Sequence, residues 1–345
     1  MAIPASTRRN FLLSAAALPV VAQAAPASVK LGIDLFSIRS SGWTPFQFLD
    51  YAAQQRVSVV HFSEIRFIGN VEPENLRKVK DYAARLHIEL ELGMRSICPT
   101  SVLFDPKQGT AEEQLSRMID AAKLVGSKIV RCVLGSMDDR KSASIFTHIE
   151  NTAKVLRNVK SKVQDAGLHI AIENHAGDMQ GWELKQLIEA AGKDFVGACL
   201  DSGNPCWTLE NPHATLDELA PYVLTSHIRD SRVWKTPEGA AVSWVRMGDG
   251  NVDIDSYVKK YAERCPGKAL SMECIVTGAR PFNYRNAAFW DNYKDIPAWR
   301  FQQFANLAET GQPFTVPPVE KGGAAQRERE DLEASLSHAK KVLGA

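Results

Sequence analysis

The chain has no CxxC pair. Its six cysteines, Cys98, Cys132, Cys199, Cys206, Cys265 and Cys274, stand apart from one another, which argues against a zinc knuckle. At 345 residues the chain does not depend on a disulfide scaffold, so most of these thiols read as buried, apolar-like side chains. Neither sign of charge is in excess, with 41 Lys and Arg against 40 Asp and Glu. That balance gives no electrostatic basis for binding nucleic acid or an anionic membrane surface. Beyond residue 24 there is no apolar run of the ~20 residues that an integral membrane span requires. The first strand-like segment ends Phe36-Ser37-Ile38-Arg39, without the glycine-rich turn that often follows the first strand of an open doubly wound sheet.

What is present begins with an export signature. Arg8-Arg9-Asn10-Phe11-Leu12 is followed by an apolar run through Val21 and then by Ala22-Gln23-Ala24. A positive start, a short apolar stretch and a small-x-small end form a cleavable signal. The paired arginines make it similar to a twin-arginine signal. Residues 1–24 are therefore expected to engage the twin-arginine export machinery and to direct a mature chain, residues 25–345, to the periplasm or another exported location.

The mature chain alternates strand-like and helix-like segments. Strands are expected at Val29–Arg39, Val57–Ile65, Ile88–Arg95, Lys128–Leu134, Leu168–Asn174, Phe195–Asp201, Val223–Arg229 and Lys268–Ile275. Helices are expected at Pro45–Gln55, Pro73–Leu86, Ala111–Val125, Ala143–Ala166, Gly181–Ala191, Thr215–Leu219 and Asp253–Arg264, the last after a long loop. Short apolar strands, each followed by a helix, imply a parallel sheet, and eight of them close a single (β/α)₈ barrel of the α/β class. Two segments break the rhythm. Thr277–Pro313 is an aromatic-rich loop, read as a lid or as a contact in a homo-oligomer. Gln326–Leu343 is a charged stretch with spaced leucines, read as a terminal amphipathic helix.

In such barrels the chemistry sits at the C-terminal ends of the strands. The last four strands end in Glu173-Asn174-His175, Asp201-Ser202-Gly203-Asn204, His227-Ile228-Arg229-Asp230 and Glu273-Cys274. Strand side chains alternate between faces. Glu173, Asp201, His227 and Glu273 then share one face with the small residues Ala171, Cys199, Thr225 and Ser271, while Ile172, Leu200 and Met272 take the other. Three carboxylates in one cavity repel one another unless a cation is present. Three carboxylates and an imidazole form a hard donor set, suited to one divalent ion such as Mn²⁺, Mg²⁺ or Co²⁺, with Zn²⁺ also compatible.

These strand ends, with Gly248-Asp249-Gly250-Asn251-Val252-Asp253, resemble the xylose isomerase-like TIM-barrel family of sugar isomerases and epimerases. The matching pieces occur in family order over strands five to eight; the first half matches mainly in its rhythm. The resemblance implies that Glu173, Asp201, His227 and Glu273 hold a metal and that Glu173 and Glu273 are a proton-transfer pair. It implies a carbohydrate substrate, with proton abstraction next to a carbonyl giving an enediolate. Return of the proton gives epimerisation or isomerisation; loss of a β-substituent from the same species makes the protein a lyase acting on a keto-sugar or keto-glycoside. The export signature favours the lyase over a cytoplasmic sugar-phosphate enzyme. A non-catalytic sugar-binding protein with a structural metal is the rival from another class. A three-zinc nuclease needs more histidines at strand ends than this chain offers.

One residue departs from the family pattern. Asn204 stands where many epimerases have His three residues after the strand-six Asp, and an amide cannot shuttle a proton. His175 either replaces that histidine in part or makes a hydrogen bond to a carboxylate. Glu64 either reaches the substrate or pairs with Arg66 or Arg95. Arg131 points inward or lies among the helices. Arg229 and Asp230 read as pairs near the site, with Arg229 also a substrate contact. Trp207, with Trp234 and Trp244, offers an aromatic face to a sugar or packs locally.

Overall fold

A computed structural model describes residues 29–344; the expected export signal at residues 1–24 lies outside them. Eight parallel strands close into a barrel: β1 (Lys30–Asp34), β2 (Val59–Phe62), β3 (Glu89–Ser96), β4 (Ile129–Val133), β5 (His169–Glu173), β6 (Val196–Asp201), β7 (Val223–Ile228) and, after an insertion, β10 (Ala269–Met272). The ring order is β1–β10–β7–β6–β5–β4–β3–β2, and helices run between successive strands, as a single (β/α)₈ barrel requires. Two expected helices, Ala111–Val125 and Gly181–Ala191, have the bounds read from the sequence. Thr110 and Glu113 form a capping box at the start of the first, and Gly126, in the left-handed region at φ 85°, ends it.

Several boundaries move for local reasons. The first strand stops at Asp34 because its side chain accepts from Phe36 N and opens a 3₁₀ turn, Leu35–Ile38. The second stops at Phe62, and a helical turn begins after Glu64. The expected helix Ala143–Ala166 starts after the Ser144 cap and divides at Val159 into Ile145–Asn158 and Lys160–Asp165.

The larger differences lie above the barrel's C-terminal face. The expected long loop before Asp253 contains a hairpin, β8 (Asp230–Thr236) with β9 (Gly239–Val245), and β11 (Arg280–Phe282) adds to β9 as a third antiparallel strand. The aromatic segment Thr277–Pro313 thus contains a strand, a 3₁₀ helix Ala287–Asn292 and an α-helix Ala298–Thr310. Asp230 anchors the hairpin: its carboxylate accepts from the backbone N–H of Ser231, Gly248 and Gly250 at 2.7–3.0 Å. A Cβ on Gly250 would fall 2.0 Å from Asp230 Oδ1, so only glycine fits there. Arg300, from the helix at Ala298–Thr310, pairs with Glu210 and Glu218 and fixes the segment to the helices around the barrel.

The C-terminal helix Ala324–Leu343 buries Leu332, Leu336 and Ala339 beside helix Ile254–Arg264. The outward faces of the strands, including Ile172, Leu200 and Met272, join the main apolar core, whereas Ala171 and Cys199 pack with Ile129 inside the barrel. All six cysteines are buried and unpaired. Among the described residues no helix is long and apolar enough to cross a membrane.

Candidate active site

Strand register gathers the four expected ligands at one end of the barrel, with Glu173 paired to Cys199, two residues before Asp201. Asp201 stands beside His227 across β6 and β7, His227 beside Ser271 across β7 and β10, and Glu173 ends β5. One donor atom from each of Glu173, Asp201, His227 and Glu273 lies within 4.8 Å of all the others, and all four residues are buried. His227 Nδ1 is 3.1 Å from Glu173 Oε2 and 3.3 Å from Glu273 Oε2, yet makes no hydrogen bond. A buried imidazole nitrogen aimed between two carboxylates, with a third carboxylate adjacent, is a donor set that fits one divalent ion.

Two guanidinium groups share the carboxylates. Arg131 points inward, and its Nε donates to Glu173 Oε2 at 2.6 Å while Nη1 donates to the Met94 carbonyl at 3.2 Å. Arg229 Nη2 bridges Asp201 and Glu273. Burial alone would push Glu173 up, but Arg131 and His227 outweigh it and hold the carboxyl well below its usual range. Burial is likewise outweighed at Glu273, where Arg229 and His227 hold the carboxyl down at about 2. Asp201 goes the other way: burial lifts it to about 7 against the pull of Arg229. The Asn174 amide ties β5 to β6, accepting from Asp201 N at 2.9 Å and donating to Asp201 O at 3.0 Å.

A cavity of about 380 Å³ opens above this level, and His175, Asn204, Arg229, Glu64, Trp207 and Glu273 all line it. Glu173 lies deeper, fully buried, where Asn204 Nδ2 donates to its Oε1 at 3.2 Å. Of the expected proton-transfer pair, Glu273 is the member that lines the cavity. His175 Nδ1 is 2.7 Å from the Gly135 carbonyl, a contact that requires Nδ1–H and leaves Nε2 as the free nitrogen. Asp178 supports that loop by accepting from Gly135, His175 and Met179 N. Glu64 is paired with Arg66, so it meets the cavity as half of an ion pair. Trp207 stacks on Trp244 with centroids 3.9 Å apart. Arg280 covers Trp207 and Arg229 covers Trp244, at 3.9 and 4.2 Å. Trp234 is buried in β8 and does not line the cavity.

A further polar layer lies beneath the ligands, on strands whose ends the sequence motifs did not mark. Asp34, His61 and Glu91 stand side by side on β1, β2 and β3. His227 Nε2 is 2.9 Å from His61 Nδ1 and 3.5 Å from Asp34 Oδ2, so this layer fixes the ring that presents Nδ1 to the carboxylates. Gly93 makes room, since a Cβ there would sit 3.1 Å from His61 Nε2 and 2.8 Å from Ser63 O. The alternation test applied to the first three strands would have exposed these inward polar residues.

Glu91 accepts from Thr225 Oγ1 at 2.7 Å, yet burial pushes its carboxyl up to about 7. A carboxyl with a raised folded-state pKa stabilises the fold fully below the unfolded value of about 4.5, and that contribution is lost as pH rises through about 7. Thermal melts of Glu91→Gln against the parent are expected to show a difference that grows in the variant's favour between pH 4.5 and pH 7. A difference independent of pH would refute this origin.

A family model described as xylose isomerase-like TIM barrel matches residues 37–290. A 3-oxo-isoapionate decarboxylase of Pectobacterium atrosepticum is 24% identical over 233 residues, 67% of this chain and 72% of that one. Inosose dehydratase 1 of Bacillus cereus is 25% identical over 177 residues, 48% of this chain and 58% of that one. Among solved structures, a D-psicose 3-epimerase in the presence of D-fructose superposes with a TM-score of 0.61 at 14% identity, covering 92% of this chain and 100% of that one.

Proposed function

The chain belongs to the xylose isomerase-like TIM barrel family, and on that premise we propose that it is a divalent-metal-dependent isomerase or epimerase that removes a proton next to a sugar carbonyl. The observation that carries this reading is the clustering of Glu173, Asp201, His227 and Glu273 donors within 4.8 Å at the floor of a cavity large enough for a sugar. A divalent ion held by these four residues would supply Lewis-acid polarisation of the carbonyl. Glu273, facing the cavity, is the base. Glu173, clamped by Arg131 and Asn204, serves chiefly as a ligand. His175 Nε2 and the Asn204 amide contact substrate hydroxyls, and the Trp207 edge walls the cavity. Export through the signal at residues 1–24 is part of the same proposal.

A lyase reading is favoured by one observation: the two carboxylates are not equivalent. Epimerisation by two bases needs a proton acceptor on each face of the carbon, but of Glu173 and Glu273 only Glu273 lines the cavity. A single base with a fixed-tautomer imidazole nearby suits elimination of a β-substituent as well. A decarboxylase and a dehydratase among the relatives accord with that alternative.

The test is incubation of the metal-loaded protein with keto-sugars in D₂O. Exchange of an α-hydrogen without release of a leaving group supports the isomerase or epimerase; exchange with release supports the lyase. Binding without exchange would overturn both in favour of a sugar-binding protein. Elemental analysis is expected to find about one divalent ion per chain, and His227→Gln is expected to lose it. Affinity for the ion should rise with pH to well above the usual imidazole range, because burial of His227 is outweighed by the surrounding acidic groups, which raise its pKa, and the imidazole must be deprotonated to bind the ion. Full occupancy in His227→Gln would remove that residue from the ligand set.

A further inference from the structure

We infer that the substrate carries an oxyanion, a carboxylate or a phosphate, and that Arg95 receives it on the cavity wall. This rests on the reading that the cavity binds a sugar, and it adds the charge class of that sugar.

Arg131 and Arg229 are occupied by Glu173, Asp201 and Glu273. Glu64, on the same wall as Arg95, is neutralised by Arg66. Arg95 lines the cavity, is exposed, and among the described residues has no carboxylate within 4.0 Å and no hydrogen bond. Arg280, which lies outside the cavity lining, covers the Trp207 ring, and its Nη1 meets the Met137 thioether at 3.0 Å.

Three carboxylates at the floor are matched by two guanidiniums and, when loaded, by a divalent ion. Among the described residues Arg95 is then the cavity-lining guanidinium that no carboxylate meets within 4.0 Å, Asp105 in the adjoining pocket feeling its charge only from farther away. A guanidinium left without a salt-bridge partner on a cavity wall recognises an anionic ligand, and its fork fits a carboxylate or phosphoryl group in two-point contact.

The test uses D-glucuronate, D-glucose 6-phosphate and D-glucose, which differ only at C6, titrated calorimetrically into the metal-loaded full chain. At least one anionic sugar is expected to bind roughly tenfold tighter than glucose, as one charge-assisted contact predicts. Which anion gains tells carboxylate from phosphate. Arg95→Gln should erase most of that preference and its sensitivity to NaCl, while Arg95→Lys keeps the charge and part of the preference. Equal affinities for the three sugars, no measurable binding of either anion at millimolar concentration, or a preference unchanged in Arg95→Gln would overturn the inference. The outcomes separate from those of the exchange assay. Deuterium exchange into neutral keto-sugars without anion preference leaves the reaction standing and removes this inference; Arg95-dependent anion binding without exchange does the reverse.

Discussion

Glu273→Gln is expected to lower α-hydrogen exchange by roughly 10²–10⁴-fold, the usual contribution of a positioned general base. Glu273 lines the cavity while only 4% exposed, so its carboxylate faces the substrate rather than bulk water. Gln keeps the size and the acceptor oxygen but cannot take a proton. The substitution also removes one anionic ligand, so loss of activity alone is ambiguous. The control is Glu173→Gln. If Glu173 acts chiefly as a ligand, excess metal should restore most of its exchange activity. Excess metal should not restore Glu273→Gln, because refilling the site does not return the base. Parallel elemental analysis separates the two causes, and exchange at the parent rate in fully loaded Glu273→Gln would end the assignment.

The difference between these glutamates was not legible in the sequence. Both end a strand, both fall on the inner face by alternation, and the family resemblance treats them as a pair. What separates them is Arg131, whose inward direction the sequence left open, and the depth at which β5 and β10 end relative to the cavity. The four-residue donor cluster was legible because β5, β6, β7 and β10 are successive neighbours in the ring, so strand ends in sequence become a cluster in space. The layer of Asp34, His61 and Glu91 obeys the same alternation, but these residues belong to β1, β2 and β3, where no motif marked the strand ends. The hairpin β8–β9 escaped because β9 is buried along its whole length and so lacks polar–apolar alternation, and its third partner, β11, arrives 35 residues after β9 ends. No local periodicity announces a strand of three residues paired over such a distance.

Arg131→Met is expected to destabilise the metal-free protein by about 3–5 kcal/mol, the cost of leaving one buried charge without its partner. Arg131 is 7% exposed and Glu173 fully buried, so water cannot replace the lost Nε–H donor. In a domain of this size that corresponds to a fall in melting temperature of roughly 5–8 °C. Methionine fills much of the space of the arginine stem, so a cavity contributes little to the loss. A purely steric account predicts the same loss whatever stands at position 173. The electrostatic account predicts that Glu173→Gln relieves it, because the neutral amide no longer needs a cation. A double-mutant cycle of Arg131→Met with Glu173→Gln should therefore show a coupling of about 1–3 kcal/mol. It also predicts that a divalent ion raises the melting temperature of Arg131→Met more than that of the parent, since the ion supplies to Glu173 the positive charge that the arginine no longer gives. Additive effects in the cycle, together with equal metal-induced shifts, would show that Arg131 acts through packing alone and that the donor cluster is held in place without its charge.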